Sequence, residues 1–250
     1  PCPKSLTELE IFCWDVSVEL PLSLIHLNVS RIEGTNLSVG VKFPPGLEIL
    51  HTGGIDDLDL VIPLLPSSLC DFSSRAKFES SHFCAEHFPT RSMTALRLCT
   101  TDLDSHMISL LPPSLTSLEV GDVPPSLWSS LPAKLQILGF WHLSTSTEPL
   151  KTVILPTHRI CQFYTFPIHH LPRSITELSL DFGYSDAQRF WSPSPEPNLD
   201  VSSYFPQKLT AFQVTSMYLT PEISKLLPSC LTEALISNLC EQVCEHLPNR

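Results

Sequence analysis

The hydrophobic positions of this chain fall into one spaced phrase, Leu/Phe-Pro-x-x-Leu-x-x-Leu-x-Leu, that returns from one end of the sequence to the other. Its prolines are Pro3, Pro21, Pro44, Pro66, Pro89, Pro112, Pro132, Pro156, Pro172, Pro206, Pro228 and Pro248, and eleven of the twelve follow Leu or Phe. The intervals between them are 18, 23, 22, 23, 23, 20, 24, 16, 34, 22 and 20 residues, about 22 on average. A period of that length marks an array of small repeating units.

Three apolar columns follow the prolines. The first reads Leu6, Leu24, Leu47, Leu69, Met93, Leu115, Leu135, Ile160, Ile175, Leu209 and Leu231. The second reads Leu9, Leu27, Leu50, Phe72, Leu96, Leu118, Leu138, Phe163, Leu178, Phe212 and Ala234. The third admits polar residues, with Thr52, Ser74 and Thr165 among Ile11, Val29, Leu98, Val120, Phe140, Leu180, Val214 and Ile236. The second and third columns are two residues apart, which is the strand period, so both point to one face. One such strand cannot bury that face alone. A fully buried Leu contributes about 1.5–3 kcal/mol, and ordering costs about 1–2 kcal/mol per residue, so copies must stack to close a common core.

The second half of each copy has the signals of a short helix or tight turn. In Thr220-Pro221-Glu222-Ile223 the threonine stands at a cap position, proline at the first helical position and glutamate in the first turn. Asp104-Ser105-His106-Met107-Ile108 repeats the design before Pro112. The phrase proline then ends the helix and turns the chain into the next strand.

The copies LPPSLTSLEV (111–120), LPRSITELSL (171–180), LPAKLQILGF (131–140) and LPLSLIHLNV (20–29) resemble the leucine-rich repeat family, in its Leu-Pro-x-Ser-Leu variants of the LPX-type and FNIP-like kinds. The resemblance implies an α/β repeat solenoid, a leucine-rich-repeat horseshoe with a concave parallel β-sheet and short helices or turns on its convex side. It also implies a non-enzymatic scaffold that binds a protein partner on the concave face. A different role for the same array is as the substrate-recognition arm of a larger enzyme, such as a ubiquitin ligase, with the catalytic part outside this chain. The family's asparagine, five residues after the second column, is replaced here by Trp14, Ile32, Ile55, Val123, Leu143, Ile168, Met217 and Leu239. Backbone groups at that bend must therefore find other partners. The expected organisation is a single array of about eleven repeats over 1–250, a fragment lacking its caps, interrupted by an irregular Pro-rich loop at 183–204.

The residues alternating with the columns line the expected binding face. One row is Glu8, His26, Ile49, Asp71, Ala95, Ser117, Ile137, Gln162, Glu177, Ala211 and Glu233, and the next is Glu10, Asn28, His51, Ser73, Arg97, Glu119, Gly139, Tyr164, Ser179, Gln213 and Leu235. The strand-end row is Phe12, Ser30, Gly53, Arg75, Cys99, Gly121, Trp141, Phe166, Asp181, Thr215 and Ser237. From these rows Trp141, Tyr164 and Phe166, with Gly139 and Gln162 beside them, form a candidate aromatic patch of the kind that dominates interfaces. Arg75 and Arg97, one repeat apart, form a candidate basic step for a carboxylate. A second candidate is the protruding segment Phe190-Trp191-Ser192-Pro193-Ser194-Pro195-Glu196-Pro197, too rich in proline to join a sheet.

Charge and chemistry narrow the function. A net charge of −11 with 15 Lys and Arg spread along the chain excludes a surface that neutralises nucleic-acid phosphates or binds an anionic membrane. No apolar run approaches the length of a spanning helix. Nine cysteines at irregular intervals make no disulfide framework and point to a reducing, intracellular and cytoplasmic setting. The segments His82–His87 and Cys240–His246 hold potential ligands but no complete tetrahedral set, and His169-His170 reads as a turn. With no phosphate-binding glycine loop, GxSxG or HExxH, neither metal nor cofactor is expected.

Overall fold

The structure is a computed structural model, and it describes residues 3–33, 41–54, 62–75, 92–141, 151–154, 160–164, 168–181, 188–191 and 204–238. The chain divides into two compact units, Pro1–Gly121 and Asp122–Arg250.

Unit 1 carries strands β1 (Glu8–Asp15), β2 (His26–Glu33), β3 (Ile49–Gly54), β4 (Asp71–Ser74), β5 (Ala95–Asp102) and β6 (Ser117–Asp122). They are neighbours in sequence order. The ladders from β1 to β5 are parallel and keep the phrase in register: Leu9 lies beside Leu27, Leu27 beside Leu50, Leu50 beside Phe72, and Phe72 beside Leu96. The second column is therefore a continuous apolar seam. Leu24, Leu47, Leu69, Met93 and Leu115 of the first column are fully buried, as are Leu50, Phe72, Leu96 and Leu118 of the second. The polar members of the third column, Thr52 and Ser74, are buried too, and Thr52 Oγ1 donates to the Ser73 carbonyl at 3.2 Å. On the return path the helix Ser105–Ser109 is capped as the sequence predicts, with Asp104 Oδ1 accepting the Met107 amide at 2.8 Å.

Unit 2 holds β7 (Ile137–Phe140), β8 (Lys151–Ile154), β9 (Ile160–Tyr164), β10 (Glu177–Asp181), β11 (Gln188–Trp191), β12 (Ala211–Leu219) and β13 (Glu233–Asn238). Here β7, β10, β12 and β13 keep the repeat register, so that Leu138, Leu178, Phe212 and Ala234 align. The Pro156 copy does not. Its strand β9 pairs antiparallel with β8 and parallel with β11, while β7 pairs directly with β10. The irregular segment expected over 183–204 contains β11, whose Phe190 and Trp191 lie beside Tyr218 and Leu219 of β12. Thr220 stands at the predicted cap position but makes no capping bond, and its buried hydroxyl has no partner among the described residues. Pro221 alone starts that short helix, by its fixed φ. No described helix is long and apolar enough to cross a membrane.

The repeated turn explains the phrase itself. The first-column amide donates to the carbonyl of the phrase proline three residues earlier, at 3.1 Å in Leu24→Pro21, Leu47→Pro44, Leu69→Pro66, Leu115→Pro112 and Leu209→Pro206. The serine before the first column then bridges to the preceding copy. Ser23 Oγ lies 2.8 and 2.7 Å from the carbonyls of Lys4 and Leu6, Ser68 Oγ 2.9 and 2.6 Å from those of Pro45 and Leu47, and Ser92 Oγ 2.8 and 2.9 Å from those of Ser67 and Leu69. In unit 2 Ser174 makes the equivalent contacts to the carbonyls of Ala133 and Leu135, and Cys230 makes them through sulfur to those of Gln207 and Leu209, both at 3.2 Å. A serine ladder thus ties copy to copy in a chain without the asparagine ladder. At the bend, indoles do similar work: Trp14 Nε1 donates to the Val18 carbonyl at 2.9 Å and Trp128 Nε1 to the Val123 carbonyl at 2.8 Å. The bend after β1 is further closed by Asp15, whose carboxylate accepts the Ser17 amide at 2.9 Å, which holds its pKa below the ordinary value.

Ser68→Ala is expected to lower stability by about 1 kcal/mol, the net worth of one intramolecular hydrogen bond. Ser68→Cys is expected to retain most of it, since Cys230 already fills the equivalent position. Urea unfolding of the full-length variants reads both, and an unchanged midpoint for Ser68→Ala would remove the ladder from the list of stabilising features.

The copies in register, the parallel ladders and the short helices and 3-10 turns between strands make this an α/β repeat solenoid of the leucine-rich-repeat kind.

Candidate functional site

Because alternate side chains of each strand fill the core, the residues between them face solvent, and unit 1 assembles them into rows. Register sets Glu8 beside His26, His26 beside Ile49, and Ile49 beside Asp71, while Glu10, Asn28, His51, Ser73 and Arg97 form the next row. Strands in a sheet are about 4.8 Å apart, so side chains in one row reach their neighbours. Glu8 Oε1 is 3.5 Å from His26 Nδ1, and Glu10 Oε1 accepts from Asn28 Nδ2 at 3.3 Å. Further along, Arg97 donates from Nε to Glu119 at 3.1 Å and from Nη1 to Asp71 at 3.4 Å. His51 Nε2 joins this cluster at 3.7 Å from Asp71 Oδ1 and 3.4 Å from Arg97 Nη1.

These partly exposed pairs are worth little as stability, about 0–1 kcal/mol each. Their effect is to hold side chains in place on the open face. Two hollows lie there. The larger, about 690 Å³, is lined by Asn28, Ser30, His51, Thr52, Gly53, Ser73 and Arg75. The smaller, about 470 Å³, lies over Glu8, Glu10, His26, Asn28, Ile49 and His51. Gly53 keeps the larger hollow open and its strands close: a Cβ there would stand 2.3 Å from the Ser30 carbonyl oxygen.

The sequence-predicted residues are distributed differently from the expected patches. Arg75 is exposed and lines the larger hollow, with its amide donating to the Gly53 carbonyl at 3.0 Å. Arg97, in β5, is engaged by Glu119 and Asp71. Trp141, just beyond β7, is 44% exposed, which sets it on the surface and not in the core. Gly139 is buried in β7, level with Ser179 of β10. Tyr164 and Gln162 belong to β9, level with Trp191 and Arg189 of β11, because the Pro156 copy left the register. The strand adjacency that would have joined them to Trp141 is therefore replaced by the β7–β10 ladder. Phe166 lies outside the described residues, as do the segments 82–87 and 240–246. One feature went unread in the sequence, the cluster of His51, Asp71, Arg97 and Glu119, whereas Phe12, placed in the strand-end row, is 80% exposed as that row implies. The cluster spans four successive repeats, from β3 to β6, and only the register of the ladders brings its members together.

No family model and no curated protein matches the chain. Among solved structures it is similar to the leucine-rich repeat-containing protein LegL7 from Legionella pneumophila, at 12% identity over 94% of this chain and 89% of that one, with a TM-score of 0.46. It is also similar to CroV588, described as a circular leucine-rich-repeat protein, at 17% identity over 94% of this chain and 44% of that one, with a TM-score of 0.37.

Proposed function

We propose that the chain is a protein-interaction scaffold and that the solvent face of the β1–β5 sheet in unit 1 receives the partner. The observation that carries this reading is the division of labour along each strand. One set of side chains is consumed by the core, and the other is arrayed in level rows over two hollows. Rows of side chains on regular strands offer many anchor points at fixed spacing, which suits an extended macromolecular surface better than a small molecule in an enclosed pocket. Arg75 and His51 are the central contacts in this reading, with Arg97 held rigid behind them. Trp141, exposed at the end of β7, and Leu235, 61% exposed on β13, are separate apolar contacts on unit 2.

A photo-crosslinking amino acid placed at Asn28 or Ser73 is expected to yield discrete protein adducts in extract from the source cells. The same group at Leu22 or Pro113, exposed positions in the repeat turns, is expected to yield none. Equal adducts from turn and sheet positions would reject the sheet face as the binding surface.

A further inference from the structure

Two strands carry the bonding groups of the repeat without the neighbour that satisfies them elsewhere. Among the described strands β1 pairs with β2 alone and β13 with β12 alone. Leu24, Leu27 and Val29 in the copy of β2 are buried, whereas Leu6, Leu9 and Ile11 at the same positions in the copy of β1 are only half-buried. On β13 Ala234 is exposed in the column where Phe212 is buried, and Leu235 is 61% exposed. Two hydroxyl ladders also stop at β1. One is the serine ladder, whose position in that copy is Ser5. The other runs through the residue before each strand: Thr116 Oγ1 donates to the Thr94 carbonyl at 3.1 Å, Thr210 Oγ1 to that of Thr176 at 3.2 Å and Thr232 Oγ1 to that of Thr210 at 3.0 Å. Its position in the copy of β1 is Thr7. Ser5 and Thr7 are both exposed, and neither hydroxyl has a partner among the described residues.

We infer that these two edges fit each other between copies of this chain, with β13 of one molecule adding as a parallel strand to β1 of a second. This goes beyond the sheet-face reading and does not depend on it. The argument for a second copy as the occupant is continuity with the ladder already formed. In that ladder the Ile25 and His26 amides donate to the Thr7 carbonyl at 2.8 and 3.0 Å, and the Thr232 and Glu233 amides to the Thr210 carbonyl at 2.8 and 3.0 Å. One further step of the same register carries the Thr7 and Glu8 amides and the Thr7 hydroxyl to the Thr232 carbonyl. Ser5 Oγ then meets the carbonyls of Ser229 and Leu231, the acceptors that Ser23 finds in Lys4 and Leu6. Leu9 covers Ala234 and Ile11 covers Ile236, which closes both columns. An open parallel edge offers such a template to any strand of matching register. The register also sets Glu233 beside Glu8, whose side chain is 75% exposed, so like charges oppose the contact and salt relieves it. Because the two edges differ, the association is head-to-tail and leaves each end of a pair open to a further copy.

Sedimentation velocity of the full 250-residue chain is expected to give an average mass that rises with concentration. The rise is expected to be steeper at high salt, and steeper again for Glu233→Lys, which sets a cation beside Glu8. Ser5→Arg and Ala234→Arg each place a long charged side chain at one edge, at positions exposed in the fold. Circular dichroism and thermal unfolding are expected to match the wild type for both. Each variant alone is expected to remain monomeric, since every contact needs one edge of each kind. Mixed in equal amounts they are expected to form a one-to-one dimer, through the intact β13 edge of the first and the intact β1 edge of the second. A wild-type chain that stays monomeric over its soluble range overturns the inference whatever the variants do. So does association of either variant alone, or a mixture that stays monomeric.

Discussion

Trp128→Ala is expected to lower the stability of the chain by about 3–5 kcal/mol, the range for removing a large buried aromatic side chain. Trp128 has no exposed surface, and its ring stacks on Phe140 of β7 at a centroid distance of 5.6 Å and an interplanar angle of 11°. It also anchors the return path of its repeat. The 3-10 segment Pro125–Ser130 has no side-chain cap, and the Trp128 indole donates into the Val123 carbonyl at the bend before it. Alanine would open a cavity against Phe140 and orphan a buried carbonyl together. Trp128→Phe separates these losses, because it keeps most of the ring and removes the donor. It is expected to cost about 1–3 kcal/mol, the penalty for a buried acceptor left unsatisfied. Chemical unfolding of the full-length variants measures both. A Trp128→Ala loss no larger than that of Trp128→Phe would show that the stacked ring contributes little.

Neither Trp128 nor the serine ladder was legible as such, and the reason is the same in both cases. The apolar columns announce themselves because each recurs at a fixed distance from a proline and each member touches its own kind in the next copy. Trp128 falls between two phrases, in a stretch whose length varies from copy to copy, and no periodicity singles it out. The serine of Leu-Pro-x-Ser-Leu is visible in sequence, yet its acceptors lie some twenty residues away, as for Ser68 with the carbonyl of Leu47. Only the stacking distance between copies makes that bond possible.

The Pro156 copy shows the opposite failure, a phrase present in sequence without its place in the stack. Leu155-Pro156, Ile160 and Phe163 fit the pattern, but the interval to Pro172 is 16 residues, the shortest in the chain. A copy needs residues to form its strand and more to return behind the sheet before the next phrase proline. β9 instead pairs with β8 and β11, and β10 takes the place beside β7. Alternation of side chains within β9 was read correctly as a strand. Its partners were not, because the period-two pattern specifies a face and leaves the choice of neighbour to whatever strand the connecting length allows. The consequence reached the candidate site directly, since Tyr164 and Gln162 followed β9 away from Trp141.

Gly53→Val is expected to damage both the fold and the proposed binding face, and Gly46 provides the control that shows why. Gly53 sits in β3 where the backbone of β2 passes close: an added Cβ would lie 2.3 Å from the carbonyl oxygen of Ser30 and 3.0 Å from its carbonyl carbon and Cα. Those atoms are backbone, so no rotamer change relieves the contact, and the strands must part. Even Gly53→Ala is expected to cost about 1–3 kcal/mol by overpacking, with valine at or above the upper end. For a chain of this size that is a fall of about 2–4 °C in Tm per kcal/mol. Gly46, in the turn before Leu47, has nothing within 4 Å of an added Cβ, so Gly46→Ala is expected to be neutral or to stabilise. The gain would be about 0.4–1 kcal/mol, from the reduced freedom of the unfolded chain. Thermal unfolding distinguishes the pair. If both alanine variants melt together at the wild-type temperature, the close approach of β2 and β3 at Ser30 is not a constraint on the fold. Gly53 would then have no structural claim on the floor of the larger hollow.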